Sequence, residues 1–450
     1  MSENSATPSC DAIIFIPGLG DWVDQSADVI AQRIAIALDR NAGKASAQFT
    51  VQTQGVEEDY GHTENSSYQT RIAVIQRIDD GRPGPQVDLY ALSYNPTLTK
   101  NYADQNLVLK SLRLLLGILS NLPRFVFRAF FRKGRAKSFT EILQIAFGIL
   151  ILSLLVIYMV MLAAAVVEIV VNSPQFTQAI QSIGRETPMP QPTLAPAGSA
   201  AGGDFKPVAE QSPPADERGQ PLTFSQLVII LGAIVEVFIP NLKDRISRAA
   251  VDYMSVLDYL SLGERRQVIA GQLADLLEHI AEKGSYRNIH MIAFSFGSLI
   301  AIDNLFPYGE TPGERFRLVN SLVTIGCPFD LIRQFWPGYF KGREALPRTP
   351  SQWLNVYSPV DILSSNFRND QELGQAEKHL GLQDSNVEPP VPENLVYTRG
   401  INPSQLSRLS WITLLGLRAH TMYWEAQGDS DVNCFKAVTS WLYGTDPLLA

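Results

Sequence analysis

From Ile145 to Val167 the chain runs without one charged side chain, and no other stretch so narrows what it can fold into. At about 1.5 Å of rise per residue this run is long enough to cross a hydrocarbon core of roughly 30 Å, so it predicts a transmembrane helix. A second apolar run, Leu222 to Leu242, predicts the returning span of a hairpin, although it holds Gln226, Glu236 and Pro240. Glu236 suits an interfacial position or an ion pair better than a proton relay. Between the runs, Pro174 to Pro221 is rich in Pro, Gly, Ala and Ser. Such a tract has too little apolar surface to offset its ordering entropy, which predicts a flexible loop. Arg124, Arg128, Arg132, Lys133, Arg135 and Lys137 precede the first run, and Lys243, Arg245 and Arg248 follow the second. The positive-inside bias then places both flanks in the cytoplasm and the loop across the membrane. Ser111 to Phe131 mixes leucines, aromatics and arginines around Pro123, which suits a segment lying among headgroups or a helix packed on a soluble domain.

The expected layout follows: 1–110 as the first part of a soluble domain, 111–138 as a basic membrane-proximal segment, 139–172 and 222–242 as the spans, 173–221 as the loop between them, and 243–450 as the rest of the soluble domain. The polar amino terminus lacks the apolar run of a secretory signal, so the soluble part is expected to stay on the side where it is made. A net charge of -8 argues against a general nucleic-acid binder. Cys10, Cys327 and Cys434 show neither paired spacing nor a nearby histidine cluster, so neither a disulfide framework nor a metal site is expected. With no glycine-rich phosphate loop followed by lysine, no cofactor is expected either.

The soluble parts read as strands alternating with helices. Asp11 opens a short buried strand that ends at Pro17-Gly18-Leu19-Gly20 and is followed by helical spacing from Ala27 to Leu38. Further strands are predicted at AQFTVQT, YQTRIAVIQRI and VDLYALSY before the hairpin, and at NIHMIAF, SLVTIGCP, WLNVYS and NLVYT after it. Helical periods run from Arg265 to Lys283 and through CFKAVTSWLY. This alternation predicts an α/β fold, a mostly parallel sheet covered by helices on both faces, with the two-helix transmembrane hairpin inserted into it.

One segment carries chemistry. A buried strand runs into Ala293-Phe294-Ser295-Phe296-Gly297 and straight on into a helix. Small residues two before and two after the serine permit a sharp turn that lifts the hydroxyl clear of the sheet. Here the chain resembles the α/β-hydrolase superfamily, in particular its lipases and esterases, whose nucleophile elbow reads G-x-S-x-G, with Ala293 in place of the first glycine. The resemblance extends to Gly18-Leu19-Gly20, which matches in position the loop that supplies part of the oxyanion hole, although Pro17 stands where histidine is common. It implies Ser295 as nucleophile and the N–H groups of Leu19 and Phe296 as oxyanion donors. The alternative for Gly18 and Gly20 is a plain strand-to-helix turn.

The family order is Ser, then acid, then His. Asp361, just beyond the WLNVYS strand, resembles the acid of the lipase pattern W-x-N-x-Y followed by aspartate; otherwise it caps a helix. His420 precedes the terminal helix and resembles the H-x-x-Y sequence of several lipases. His379 is its competitor as base, and Asp330 the next candidate as acid. The resemblance implies hydrolysis of a carboxylic ester through an acyl-enzyme, and the hairpin makes the lipid bilayer the expected partner and a lipid the expected ester. The rival expectation is a non-catalytic membrane scaffold that keeps the fold for binding.

Overall fold

The computed structural model describes residues 10–20, 26–42, 47–52, 57–63, 66–79, 82–127, 142–160, 242–368, 373–377, 390–398, 416–424 and 433–444, a few single positions within these ranges excepted. Its strands are β1 Cys10–Ile16, β2 Ala47–Gln52, β3 Glu57–Thr63, β4 Ser66–Asp79, β5 Arg82–Ala91, β6 Ile289–Phe294, β7 Val319–Ile325, β8 Gln352–Tyr357 and β9 Glu393–Val396. They form one sheet in the order β2-β4-β5-β1-β6-β7-β8-β9, with β3 also paired to β4. From β5 to β9 every pairing is parallel, whereas β2, β3 and β5 meet β4 antiparallel. The fold is therefore mixed α/β, with a mostly parallel sheet and an antiparallel flank. β1, from before the apolar run, pairs with β6, from after it, with Ile14 opposite Met291. One sheet thus draws strands from both sides of residues 107–260.

Helices α1 Ala27–Asn41, α2 Asn95–Ala103, α3 Leu107–Val126, α4 Leu242–Leu260, α5 Glu264–Lys283, α6 Phe296–Leu305, α7 Phe329–Phe335 and α8 Phe435–Tyr443 accompany the sheet. β1 shows why both faces must be covered. Ala12, Ile14 and Ile16 join a core with Leu273, Leu276 and Ile280 of α5 and Leu299 of α6. Ile13 and Phe15 point the other way, into a core with Ile30, Ile34 and Leu38 of α1 and Phe435 and Val438 of α8. A strand buried on both faces reads as an unbroken apolar run, as β1 does.

The chain divides into two compact units. The first, Met1–Gln105 with Leu116–Leu152 and Ala250–Ala450, holds the sheet; the second comprises Asn106–Leu115 and Ser153–Ala249. α3 runs on through Pro123, whose missing N–H leaves one backbone hydrogen bond unmade. On one side of α3, Gly117 lies so close to α4 that a Cβ there would stand 3.0 Å from Met254 Sδ, and Ile118 is buried. On the other, Leu112, Leu116, Leu119 and Phe127 are exposed. A further helical stretch covers 142–150. Among the described residues no helix is long and apolar enough to cross a membrane. The run from Ile145 to Val167 is described only as far as residue 160, and both the 174–221 tract and the second run, save Leu242, lie outside the described residues.

Candidate active site

The turn at Ser295 begins with a steric fact. α6 starts directly after β6, and its Gly297 passes so near the end of β1 that a Cβ would lie 2.4 Å from the carbonyl oxygens of both Ile16 and Pro17. Only glycine fits there. Ser295, between strand and helix, is held at φ 52° and ψ -123°, a conformation that costs a non-glycine residue about 1–3 kcal/mol and must be imposed by its surroundings. Its N–H donates to Ile325 O of β7 at 2.8 Å, and Ser298 Oγ donates back across the turn to Ala293 O at 3.0 Å.

Three side chains far apart in sequence meet at this turn. His420 lies in a 3₁₀ segment, Gly416–Trp424, and its Nε2 stands 2.6 Å from Ser295 Oγ. Its Nδ1 stands 2.8 Å from Asp361 Oδ2. Because the ionised carboxylate can only accept, Nδ1 carries the proton, and Nε2 is left to accept from the serine hydroxyl. The imidazole stacks on Phe294, ring centroids 5.1 Å apart. Room for it comes from Gly326 at the end of β7, where φ is +60° and a Cβ would stand 3.1 Å from His420 Cε1. Asp361 is fully buried, and the Leu363 N–H donates to its Oδ1 at 2.9 Å. Tyr423, the tyrosine of the H-x-x-Y sequence that begins at His420, adds a donor whose role the sequence did not reveal, its hydroxyl 2.9 Å from Asp361 Oδ2. Burial first, and then the Asp361 charge, push the Tyr423 hydroxyl well above its ordinary range, so it keeps its proton and remains a donor.

The loop after β1 is clamped from a distance. Asn95, at the start of α2, donates through Nδ2 to Gly18 O at 3.1 Å and Gly20 O at 3.2 Å, and its Oδ1 accepts from the Gly20 N–H at 3.1 Å. The Tyr94 hydroxyl donates to Pro17 O at 3.0 Å. Leu19 therefore sits between two fixed carbonyls, partly buried against the core. Gly18 packs on the elbow itself, where a Cβ would stand 3.1 Å from Ser295 Cβ. Phe296 follows Ser295 as the first residue of α6, among the N–H groups that a helix leaves without intrahelical partners.

Asp330 is buried at the head of α7, where it pairs with Arg333 at 2.8 Å and accepts from Ser365 Oγ. His379 lies outside the described residues. Burial pushes the Cys327 and Cys434 thiols up, and burial with the nearby Asp88 charge pushes Cys10 up to about 12, so none of the three offers a thiolate at neutral pH. Among the described residues no group of His, Cys, Asp and Glu could hold a metal ion. Ser295, His420 and Asp361 lie beyond the carboxyl ends of β6, β9 and β8, the edge of an open α/β sheet where ligands bind. Compared with protein-family models, curated proteins and solved structures, the chain gives no match.

Proposed function

We propose that this protein is a membrane-anchored serine hydrolase of the α/β-hydrolase type, which cleaves carboxylic esters of lipids through an acyl-enzyme. The observation that carries the reading is the hydrogen-bonded chain from Asp361 through His420 to Ser295, set on a strained strand-to-helix turn. In this reading Ser295 Oγ attacks the ester carbonyl while His420 Nε2 takes its proton, and Asp361 holds the imidazolium that results. The N–H groups of Phe296 and Leu19 stabilise the tetrahedral oxyanion, a contribution of several kcal/mol for a preorganised pair. His420 then returns the proton to the departing alkoxide, leaving an acyl group on Ser295. A water molecule then adds its oxygen to the acyl carbon while His420 takes its proton, the bond from that carbon to Ser295 Oγ breaks as His420 returns the proton to Oγ, and the acid leaves.

The order of parallel strands, with the site at their carboxyl ends, supports the hydrolase type. Membrane anchoring is supported by the uncharged run from Ile145 and by its exposed apolar side chains, Ile149, Leu150, Val156, Ile157 and Val160. With basic residues on both flanks, the sheet domain faces the cytoplasm. Stopped-flow turnover of p-nitrophenyl esters in detergent tests the chemistry: a burst of nitrophenol followed by a slower steady state, both absent in Ser295→Ala, is expected. Linear release from wild type at the same rate as from Ser295→Ala would leave the scaffold reading in its place. Alkaline carbonate washing of membranes tests the anchor, and release of the protein into the supernatant would remove it.

A further inference from the structure

The start of the apolar run does not stand apart from the site. Within the first unit, Leu143 packs with Val360 and Ile362, on the loop of Asp361, and with Ala419 and Met422, on the segment of His420; Phe147, one turn further on, lies against the same cluster. Beside Leu143, Gln144 is almost fully buried, and its Nε2 donates to Ile362 O at 3.2 Å. Its Oε1 finds no partner among the described residues. A buried amide must be desolvated, a cost that an apolar side chain of the same size would not incur, so its presence calls for a role.

The peptide that Gln144 touches suggests that role. The carbonyl of Ile362 accepts from Gln144, and the N–H of the same peptide unit, that of Leu363, donates to Asp361 Oδ1 at 2.9 Å. One planar group therefore joins the glutamine to the carboxylate. Fixing its oxygen fixes the direction of its N–H, and a hydrogen bond accepted at the oxygen strengthens the one donated at nitrogen. We propose that Gln144 is a positioning residue for Asp361, acting through the Ile362–Leu363 peptide, and that the first turn of the apolar helix is thereby part of the active-site scaffold. This rests on the reading of Ser295, His420 and Asp361 as a catalytic triad. It goes beyond that reading in joining the membrane anchor to the acid of the triad, where a tether would be indifferent to turnover.

Gln144→Met in the full-length, detergent-solubilised protein tests it, since methionine fills the same space without the amide. The expected result is a kcat about tenfold lower, from a carboxylate no longer held in place, with KM unchanged and a thermal midpoint equal to or above that of wild type. Gln144→Asn, which withdraws the amide by one carbon, is expected to show the same fall in kcat with KM held. A wild-type kcat in a folded Gln144→Met protein, while Ser295→Ala remains inactive, would overturn this proposal and leave the triad standing. Loss of fold in both variants would assign Gln144 to stability alone and overturn it too. A wild type that neither turns over esters nor reacts with a fluorophosphonate would remove the triad, and this proposal with it.

Discussion

At the scale of single residues, the site is held by groups whose removal has separable effects. Tyr423 gives Asp361 Oδ2 one of its two donors, the other being His420 Nδ1. Tyr423→Phe removes a hydrogen bond to a buried charge and should lower stability by about 1–3 kcal/mol, read by urea denaturation. The remaining donor then holds the carboxylate less firmly, so kcat should fall about tenfold while KM holds. Gly297 makes the opposite case, since an added methyl would collide with two backbone oxygens that cannot move aside. Gly297→Ala should destabilise by upward of about 3 kcal/mol, or fail to yield folded protein at all. Ala293→Gly should stay within about 1 kcal/mol of wild type in the same assay. This contrast explains what could be read in advance. Gly297 and Ser295 were legible because a sharp turn demands smallness from adjacent positions, a local constraint. Tyr423 stood in the H-x-x-Y sequence without a role of its own, and Gly326 and Asn95 were not legible, because each acts on a partner far along the chain.

At the scale of elements, α2 differs most from what the sequence suggested. Nothing in Asn95-Pro96 announces that the start of α2 will grip the loop of Gly18 and Gly20, since these are brought together only by the pairing of β1 with β5. Asn95→Ala deletes three hydrogen bonds to that loop, and if Leu19 serves the oxyanion, kcat should fall about 10- to 100-fold with little change in KM. A rise in KM alone would separate the loop from transition-state stabilisation. In α3, Ile118 is buried, as a helix packed on a soluble domain requires, while Leu116 and Leu119 are exposed. Pattern alone could not choose, because both stripes are apolar. β3, EEDYGHT, escaped the sequence reading for the reverse reason. It lies at a sheet edge, with Tyr60 buried, and its sequence holds little apolar alternation to reveal it.

At the scale of the whole molecule, the parallel core was legible because β1 and β6 are buried on both faces and carry continuous apolar runs. The antiparallel flank was not, since register and direction in β2, β3 and β4 are set by pairing and not by composition. The amino-terminal edge of the sheet, opposite the site, holds a group that responds to acid. There His290 lies beside Asp11 at 4.0 Å, with Tyr443 edge-on and Arg287 near the same carboxylate. Burial, opposed by Asp11 and aided by Arg287, holds His290 at about 4 against an ordinary value of 6.5. Between those two values the unfolded chain binds a proton that the folded chain does not, so stability is complete above 6.5 and is lost as pH falls toward 4. His290→Phe should abolish this part of the acid loss, on the order of 2–3 kcal/mol, seen as a smaller drop in thermal midpoint between neutral pH and about 4.5. An equal drop in both proteins would place the acid sensitivity elsewhere. Such a change should leave the far edge of the sheet, where Ser295 sits, untouched. The most direct test of that site is fluorophosphonate labelling of the solubilised full chain, wild type beside Ser295→Ala and His420→Ala, with intact mass to count adducts. One adduct on wild type, none on Ser295→Ala and a steep loss on His420→Ala is the predicted result; folded wild type that takes no label, or Ser295→Ala that still does, would contradict it.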